Sequence, residues 1–183
     1  MAIATYNHFA NGITIRGVPI LQAYPGKVFW VNNVALATGA VDPRQTTGAD
    51  AGPGTMLKPY ATIAYAISQC VAGRGDIIVV APGHAESIVA AAGIALSKSG
   101  VCLLGLGSGL LRPKITYTTA NTATMTVAGA NCSIVNIRFV ANFLGIATAI
   151  GVTGTDLTIE RCDSSDTSSI LKFLSDSFTN RCF

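Results

Sequence analysis

Short alternating stretches open the chain. Within residues 1–35, apolar and polar side chains alternate over a few residues at a time, as at Val28 and Trp30, and Gly or Pro interrupts each stretch. This period of two predicts short strands joined by turns. In residues 38–58, Gly, Pro, Thr and Asp replace almost every large apolar side chain, so we expect an exposed loop there.

A different period begins at Tyr60. Apolar residues then fall at helical spacing, at Ile63, Ala66, Ile67, Cys70 and Val71. Pro59 precedes this stretch and Gly73 follows it, and helices favour Pro near their start and Gly just past their end. The pattern predicts a short amphipathic helix over residues 60–71.

After Asp76 the apolar stretches become strand-like. Each is brief and bounded by Gly, Asn, Asp or Ser. The predicted strands span residues 77–80, 101–106, 115–117, 123–127, 133–139, 147–152, 157–162 and 170–174.

Internal similarity indicates how these strands pair. Superposing VCLLGLG on CSIVNIR and LTIERCD aligns Leu103, Ile134 and Ile159 in one column and Leu106, Ile137 and Cys162 in another. The sequence steps of the first column are 134 − 103 = 31 and 159 − 134 = 25, about what one turn of a parallel β-solenoid needs. Asn-Gly and Asp-Gly hairpin turns are absent from this region of the sequence. We therefore predict an all-β fold, a short parallel β-helix.

Such a fold exposes unpaired strands at its two ends. The helix over residues 60–71 is placed to cover the N-terminal end. Residues 169–183 still carry Phe173, Phe178 and Phe183, so we expect this C-terminal surface to meet another protein chain. Closed symmetry then makes a homotrimer or another ring the expected assembly.

Composition and length agree with one main body. The chain has 183 residues, of which 50% are hydrophobic and only 11% charged, so much of its surface must be hidden. We divide it into an N-terminal strand and anchor segment at residues 1–37, the loop at 38–58, and the capping helix with the β-helix at 59–183.

Charge and hydropathy limit the expected partners. The 12 basic and 9 acidic residues are scattered, without the basic runs that neutralise nucleic-acid phosphates, so no nucleic-acid partner is expected. No apolar run is long enough to predict a membrane span. The sequence begins without a basic segment followed by an apolar one, so no secretory signal is predicted and synthesis is expected to finish in a cytoplasm.

The cysteines point to packing and not to a metal site. They are Cys70, Cys102, Cys132, Cys162 and Cys182, an odd number without a CxxC pair. Neither a zinc site nor a full set of disulfides is favoured. We interpret them as mostly buried free thiols.

One segment carries a resemblance. KPYATIAYAISQCVAGRGDIIVVAPGHAESI resembles the opening of the pectin-lyase-like right-handed β-helix superfamily, where a capping helix leads into a first strand of the form GD-apolar-apolar-PG. With GKVFWVNN, the Gly-rich loop and GVCLLGLGSGLLRPKI, residues 26–175 look like β-helical virion proteins of tailed bacteriophages. The resemblance implies a right-handed parallel β-helix and a structural role on the capsid or tail, often as a trimer. The superfamily also contains polysaccharide lyases, hydrolases and esterases, so fold alone fixes no activity.

His84 and Glu86 are the first candidates for chemistry. Two residues apart on a strand, they would face one side and could form a general acid and base pair. In the superfamily that this chain resembles, residues at this place fasten a turn, and catalytic groups lie further along. We therefore favour a structural role for the pair.

A second candidate is the acidic cluster Asp156, Glu160, Arg161, Asp163 and Asp166. Paired carboxylates hydrolyse glycosides, but most of this cluster lies at a strand end and in the Ser-rich turn DSSDTSS, where Asp and Ser cap backbone groups. Residues 101–155 contain no Asp or Glu from which to build an active groove.

Three weaker candidates remain. GLGSGL at residues 105–110 lacks the following helix that a phosphate loop needs, since residues 111–113 read Leu-Arg-Pro. Asp42 and Asp50 in the loop lack the acidic spacing of a calcium site, and flexibility is the preferred interpretation. A sugar-stacking platform of Tyr24, Phe29 and Trp30 is less favoured than packing against the helix.

We therefore predict a non-enzymatic phage virion protein, assembled in the host cytoplasm, that decorates or cements the capsid and attaches through residues 1–35, whose strands are expected to stay outside the repeat. No catalytic, cofactor-binding or metal-binding residue is predicted. Its expected partners are its own copies and the major capsid protein or other virion proteins. The alternatives are a tail spike or fibre module that binds or cleaves host polysaccharide, and a bacterial surface-polysaccharide enzyme, against which the missing secretion signal weighs.

Overall fold

The computed structural model describes residues 14–15, 18–19, 26–34, 46–166 and 173–176. It begins with a short antiparallel pair, β1 (Thr14–Ile15) and β2 (Val18–Pro19), as the alternating pattern predicts. Strand β3 (Val28–Val31) and helix α1 (Ile63–Gln69) follow.

The strands after α1 are brief. In chain order they are β4 (Ile77–Val80), β5 (Ala85–Ile88), β6 (Ile94–Leu96), β7 (Cys102–Gly105), β8 (Lys114–Tyr117), β9 (Met125–Val127), β10 (Ser133–Val135), β11 (Arg138–Ala141), β12 (Ile150–Val152), β13 (Thr158–Glu160), β14 (Asp163–Asp166) and β15 (Leu174–Asp176).

Strands β3 to β15 form three parallel sheets. The first sheet has the order β13-β10-β7-β4-β3, the second β14-β11-β8-β5, and the third β15-β12-β9-β6. From β4 onward the chain visits the three sheets in the same order each time, so neighbours within a sheet come from successive visits. The prediction of a mostly β fold with parallel strands is confirmed.

The strand register confirms the first column found in the sequence. Ile134 pairs with Leu103 on one side and with Ile159 on the other, and Leu103 pairs with Ile78. The sequence steps are therefore 103 − 78 = 25, 134 − 103 = 31 and 159 − 134 = 25. In the second column Ile137 is fully buried, and it lies between β10 and β11 instead of within a strand.

Side chains from all three sheets share one hydrophobic core. Burial alternates along the strands: in β9, Met125 and Val127 are buried while Thr126 between them is partly exposed. Fully buried residues include Ile78, Leu103, Ile134, Ile115, Phe139, Tyr117, Ile94 and Leu96. Each such aliphatic side chain contributes about 1.5–3 kcal/mol through burial, so this shared core is the main source of stability.

A left-handed backbone residue precedes each described strand of the first sheet after β3. These residues are Gly75, Gly100, Asn131 and Asp156, with φ of 82°, 72°, 52° and 55°. Their sequence steps, 100 − 75 = 25, 131 − 100 = 31 and 156 − 131 = 25, equal those of the paired strands. Among residues other than Gly, Asn and Asp adopt this conformation most readily, so the turn chemistry repeats with the strands.

Residues 133–139 are not one strand, as the pattern predicted, but parts of β10 and β11. Asn136 separates the two strands with a φ of 57°, and its side-chain Nδ2 donates to the carbonyls of Gly105 and Gly107, both at 2.9 Å. The first and second sheets therefore adjoin at Asn136, where the apolar pattern predicted one continuous strand.

Three strands were missed, and all three carry polar or small residues. β5 reads AESI and β6 reads IAL. β14 reads DSSD and was predicted as a Ser-rich turn, yet it pairs in parallel with β11. Its place in the sheet is set by the neighbouring strand, because local propensity yields to tertiary context in sheets.

The prediction that strands of the N-terminal segment stay outside the repeat is wrong for β3. It pairs in parallel with β4, with Val28 opposite Ile77 and Val31 opposite Val80. Phe29 and Val31 add to the core. The repeat therefore includes residues within the predicted anchor segment.

The described part of the Gly/Pro-rich loop covers the outer edge of β3. Trp30 N donates to the Gly54 carbonyl at 2.8 Å, Tyr60 N donates to the Trp30 carbonyl at 2.8 Å, and Asn32 N donates to the Tyr60 carbonyl at 2.9 Å. Most loop side chains are exposed as predicted, but Gly54 is buried against the Tyr60 ring. The loop thus satisfies backbone groups that an edge strand would otherwise expose.

Helix α1 is shorter than the predicted residues 60–71. Thr62 caps it, with Oγ1 accepting from Tyr65 N at 3.1 Å, and Val71 lies beyond its end and is exposed. Its buried face, Ile63, Ala66 and Ile67, packs against β3, β4 and β6. Tyr60 and Cys70 are buried beside the helix and not within it.

At the C-terminal end, Phe173 is half-buried and its ring meets that of Phe139 at 5.7 Å. The predicted strand over 170–174 is replaced by β15, which begins at Leu174. Residues 170–172, Phe178 and Phe183 lie outside the described residues.

Candidate functional site

His84 and Glu86 are hydrogen-bonded to each other and to backbone groups. The buried His84 ring accepts at Nδ1 from Asn33 N at 3.1 Å, so its proton lies on Nε2, 3.2 Å from Glu86 Oε2. The same carboxylate oxygen accepts from Ile63 N, the first residue of α1, at 2.8 Å. The pair joins β3, β5 and α1, which is the fastening role favoured by the sequence; the absence of catalysis stays a prediction.

The acidic cluster is dispersed over the surface. Glu160 and Arg161 form an exposed ion pair at 3.3 Å, and Asp156 is an exposed turn residue. Asp166 pairs with Ala141 through its position in β14. Asp163 is the member that joins a larger group of charges.

Asp163 binds two arginines. Its Oδ2 lies 2.9 Å from Arg138 Nη2 and 2.8 Å from Arg112 Nη1, and Arg138 Nε also donates to the carboxylate. Hydrogen bonding by Arg138, with the charge of Arg112 beside it, holds the pKa of Asp163 below its usual value. The carboxylate is therefore ionised and occupied, which makes it a poor proton acceptor for catalysis.

The arginines belong to a basic recess on the second sheet. Lys114, Arg138 and Asp163 lie directly opposite one another at the starts of β8, β11 and β14. A recess of about 170 Å³ opens beside them. It is lined by Gly83, His84, Ala85, Leu110, Arg112, Lys114 and Arg138, and we call it the basic recess.

One sign of this recess is present in the sequence. Residues 101–155 contain three cationic side chains, Arg112, Lys114 and Arg138, and no acidic one. The step 163 − 138 = 25 equals the step between Ile134 and Ile159, but 138 − 114 = 24 differs from the 31 residues between Leu103 and Ile134. The column of Lys114, Arg138 and Asp163 therefore becomes visible only in the strand register.

Phe29 and Trp30 of the predicted aromatic platform do not lie on one face. Phe29 points into the core beside Tyr60, with ring centroids 6.0 Å apart, whereas Trp30 is partly exposed because adjacent strand residues face opposite sides. Trp30 lines a separate recess of about 160 Å³ with Met56 and Pro59. Tyr24 lies outside the described residues.

Asp50 is not a flexible loop residue. Its carboxylate accepts from Ala61 N at 2.9 Å, from Thr62 N at 3.0 Å and from the Thr62 hydroxyl at 2.9 Å, at the start of α1. Asp42 lies outside the described residues. In the stretch 105–110, Gly109 begins a three-residue 3-10 helix, Gly109–Leu111, which ends at Arg112 without becoming an α-helix.

The thiols of the described chain are free. Cys70 and Cys132 are buried, Cys102 and Cys162 partly so, and burial raises the pKa of Cys70 to about 12. Cys182 lies outside the described residues. Among the residues that the structure places, no group of three or more His, Cys, Asp and Glu is arranged to hold a metal ion.

No protein-family model matches the chain, and neither a curated protein nor a solved structure matches it. The resemblance to phage β-helical proteins therefore stays a prediction.

In the described part of the chain, no helix has the length and apolar character needed to cross a membrane.

Proposed function

We propose that this chain is a non-enzymatic virion protein of a tailed bacteriophage, built as a short right-handed parallel β-helix that self-associates. The regular order in which the chain visits the three sheets supports the β-helix, as do the recurring sequence steps between paired strands and the shared core. Right-handed connection is the rule for parallel crossovers.

The two ends of the stacked strands differ in how their outermost strands are covered, and this difference carries the proposal. At the N-terminal end, the loop around Gly54 and Tyr60 bonds the outer edge of β3, and α1 packs beside it. At the other end, β13, β14 and β15 are the outermost strands of their sheets within the described residues. A strand edge of this kind binds further chain readily. The proposed contact between copies is therefore end-on, through this edge.

Exposed apolar side chains supply further contact surface. Leu144 is 76% exposed, Leu111 61% and Val89 54%. Val34 Cγ2 and Leu111 Cδ2 lie 3.6 and 4.0 Å from the point that a Cβ on residue 83 would occupy. The two side chains therefore flank Gly83 and form one apolar patch. Contacts of standard size bury about 1,600 Å². A homotrimer would bury several such surfaces at once.

The proposed role on the particle is decoration or cementing of the capsid, with assembly in the host cytoplasm. The anchor is placed in residues 1–25, because a deletion through residue 35 would remove β3 from the first sheet. Many copies on one particle convert weak individual contacts into firm attachment.

The test combines mass and binding measurements. Size-exclusion chromatography with light scattering of the full chain is expected to give three times the monomer mass of 18.8 kDa. Co-sedimentation with empty capsids is expected for the full chain and not for a variant lacking residues 1–25. A monodisperse monomer that ignores capsids would overturn the proposal.

One observation favours a second candidate, a tail spike or fibre module for host polysaccharide. Trp30 lies in a recess with Met56 and Pro59, and an indole face is suited to stacking on sugar rings. This candidate predicts glycan binding that Trp30→Ala abolishes. If the module cleaves the glycan, Asp163→Asn or Glu160→Gln should remove activity, and full activity in both variants eliminates cleavage by this cluster.

A further inference from the structure

The basic recess has an excess of positive charge. Arg112, Lys114 and Arg138 bring three cations, and Asp163 is the acidic group bonded to them, which leaves a net charge of 3 − 1 = +2. His84 adds no charge, because its Nδ1 accepts a backbone hydrogen bond. Cations gathered in a recess are stabilised by an anion.

The backbone N–H groups of Gly83, Ala85 and Lys114 in the recess are already used. Gly83 N donates to the Leu111 carbonyl at 2.7 Å, Ala85 N to Asn33 Oδ1 at 3.1 Å, and Lys114 N to the His84 carbonyl at 2.9 Å. The His84 ring is occupied at both nitrogens. A ligand here would therefore be bound by cationic side chains.

The cationic side chains keep donors to spare. Arg112 uses Nη1 for Asp163, but its Nε is buried and has no hydrogen-bond partner within the described chain. Arg138 uses Nε and Nη2 for Asp163, and within the described residues Nη1 has no acceptor. The Lys114 ammonium makes no ion pair with any described residue. A buried charged donor without an acceptor is costly.

We propose that the basic recess is a binding site for a small oxyanion, a carboxylate or phosphate group. The oxygens would take hydrogen bonds from the guanidinium groups of Arg112 and Arg138 and from the Lys114 ammonium, in the charge-assisted geometry that arginine forks favour. Asp163 holds the two arginines in place and is not displaced. The site does not depend on self-association or on a virion role.

The rim of the recess adds selectivity. Leu110 lines the recess and is 95% exposed, so its apolar surface is available beside the cations. A carboxylate that carries a short aliphatic group would bury part of this surface, and each buried CH₂ is favourable. Butyrate is therefore expected to bind severalfold more tightly than acetate.

The experiment uses the full chain and three probes, inorganic phosphate, acetate and butyrate. Each is titrated at constant ionic strength against a chloride reference, with binding followed by calorimetry and by two-dimensional NMR of the backbone amides. Saturable binding of one anion per chain is expected, with the largest shifts near residues 83–85 and 112–114. Lys114→Gln is expected to weaken it about tenfold, whereas Lys58→Gln, an exposed lysine of the loop, leaves it unchanged.

Different results would contradict the site and the role of its rim. Absence of saturable binding, or equal weakening by Lys114→Gln and Lys58→Gln, overturns the site. Equal affinity for butyrate and acetate, or no effect of Leu110→Ala on their ratio, overturns the role of the rim. Lys114 is exposed, so an unchanged thermal midpoint for Lys114→Gln serves to exclude misfolding as the cause.

Discussion

His84 Nε2 and Glu86 Oε2 lie 3.2 Å apart, and that carboxylate oxygen also receives the backbone N–H of Ile63 at 2.8 Å. Removing the carboxylate would leave a buried ring N–H and the first N–H of α1 without their acceptor. We expect Glu86→Ala to lower the free energy of unfolding by about 1–3 kcal/mol, the usual cost of a buried unsatisfied donor. Urea unfolding followed by circular dichroism measures it.

Glu160→Ala is the matched control for this prediction. Among the described residues, the Glu160 carboxylate pairs only with exposed Arg161, and the Glu160 side chain is 59% exposed. Its loss is expected to change the unfolding free energy by no more than about 0.5 kcal/mol. Equal effects of the two substitutions would contradict a fastening role for Glu86.

Asp76 makes folding sensitive to acid. The side chain is fully buried and accepts from Lys27 N at 2.7 Å, from Val71 N at 2.8 Å, and from Arg74 Nε and Nη2, both at 2.7 Å. Burial by itself raises the pKa of this carboxyl, but Arg74 and the two backbone N–H groups outweigh burial and lower the pKa to about 2. The native state therefore favours the ionised form.

A pKa lowered in the folded state stabilises the protein above the pKa of the unfolded chain, about 3.9, and this contribution is lost as pH falls towards 2. We expect wild type to lose roughly 2 kcal/mol of this contribution between pH 5 and pH 2. Asp76→Asn should lack that part of the pH dependence. Parallel curves for wild type and Asp76→Asn, from urea unfolding at each pH, would refute the assignment, and exposed Asp156→Asn serves as the control.

Leu103 and Leu110 offer the same substitution in opposite surroundings. Leu103 is fully buried between Ile78 and Ile134, and Leu110 is 95% exposed. We expect Leu103→Ala to cost about 2–5 kcal/mol of unfolding free energy through lost burial and a cavity. Leu110→Ala should change it by less than about 0.5 kcal/mol. Similar thermal midpoints for the two variants would argue against the shared core.

Asn136 is expected to fix the turn between β10 and β11. Asn136→Ala removes two hydrogen bonds to carbonyls and places Ala at a φ of 57°, so a loss of about 1–3 kcal/mol is expected. Asn136→Gly also loses the two hydrogen bonds, but glycine adopts a positive φ without strain. Its thermal midpoint should therefore fall between those of wild type and Asn136→Ala. An Ala variant as stable as the Gly variant would show that φ contributes nothing.

Much of the repeat was predictable because it rests on local patterns. Leu103, Ile134 and Ile159 pair as their spacing predicts, and 77–80 is a strand with the predicted bounds. The apolar spacing predicted the helix, but its ends were misplaced. Thr62, and not Pro59, caps its start. Polar strands such as β14 were missed because their apolar signal is weak.

The basic recess was missed for a different reason. Arg112 and Lys114 lie far from Arg138 in the sequence (138 − 112 = 26), and no short motif joins them. They come together only because β8 and β11 are neighbours in register. Glu160 and Arg161, which are adjacent in the sequence, form only a surface pair.

The sequence by itself indicated the repeat of the chain, its parallel β character and part of its core, because burial on a strand imposes alternation and stacked turns of chain bring similar patterns back at steps of 25 or 31 residues. The tertiary structure decided where edges are covered and which charges meet. The loop at Gly54 bonds β3, and Asp163 bonds Arg112 and Arg138, through contacts between groups far apart along the chain. Such contacts depend on the distance between groups after folding, and this distance is not encoded in any one stretch of chain.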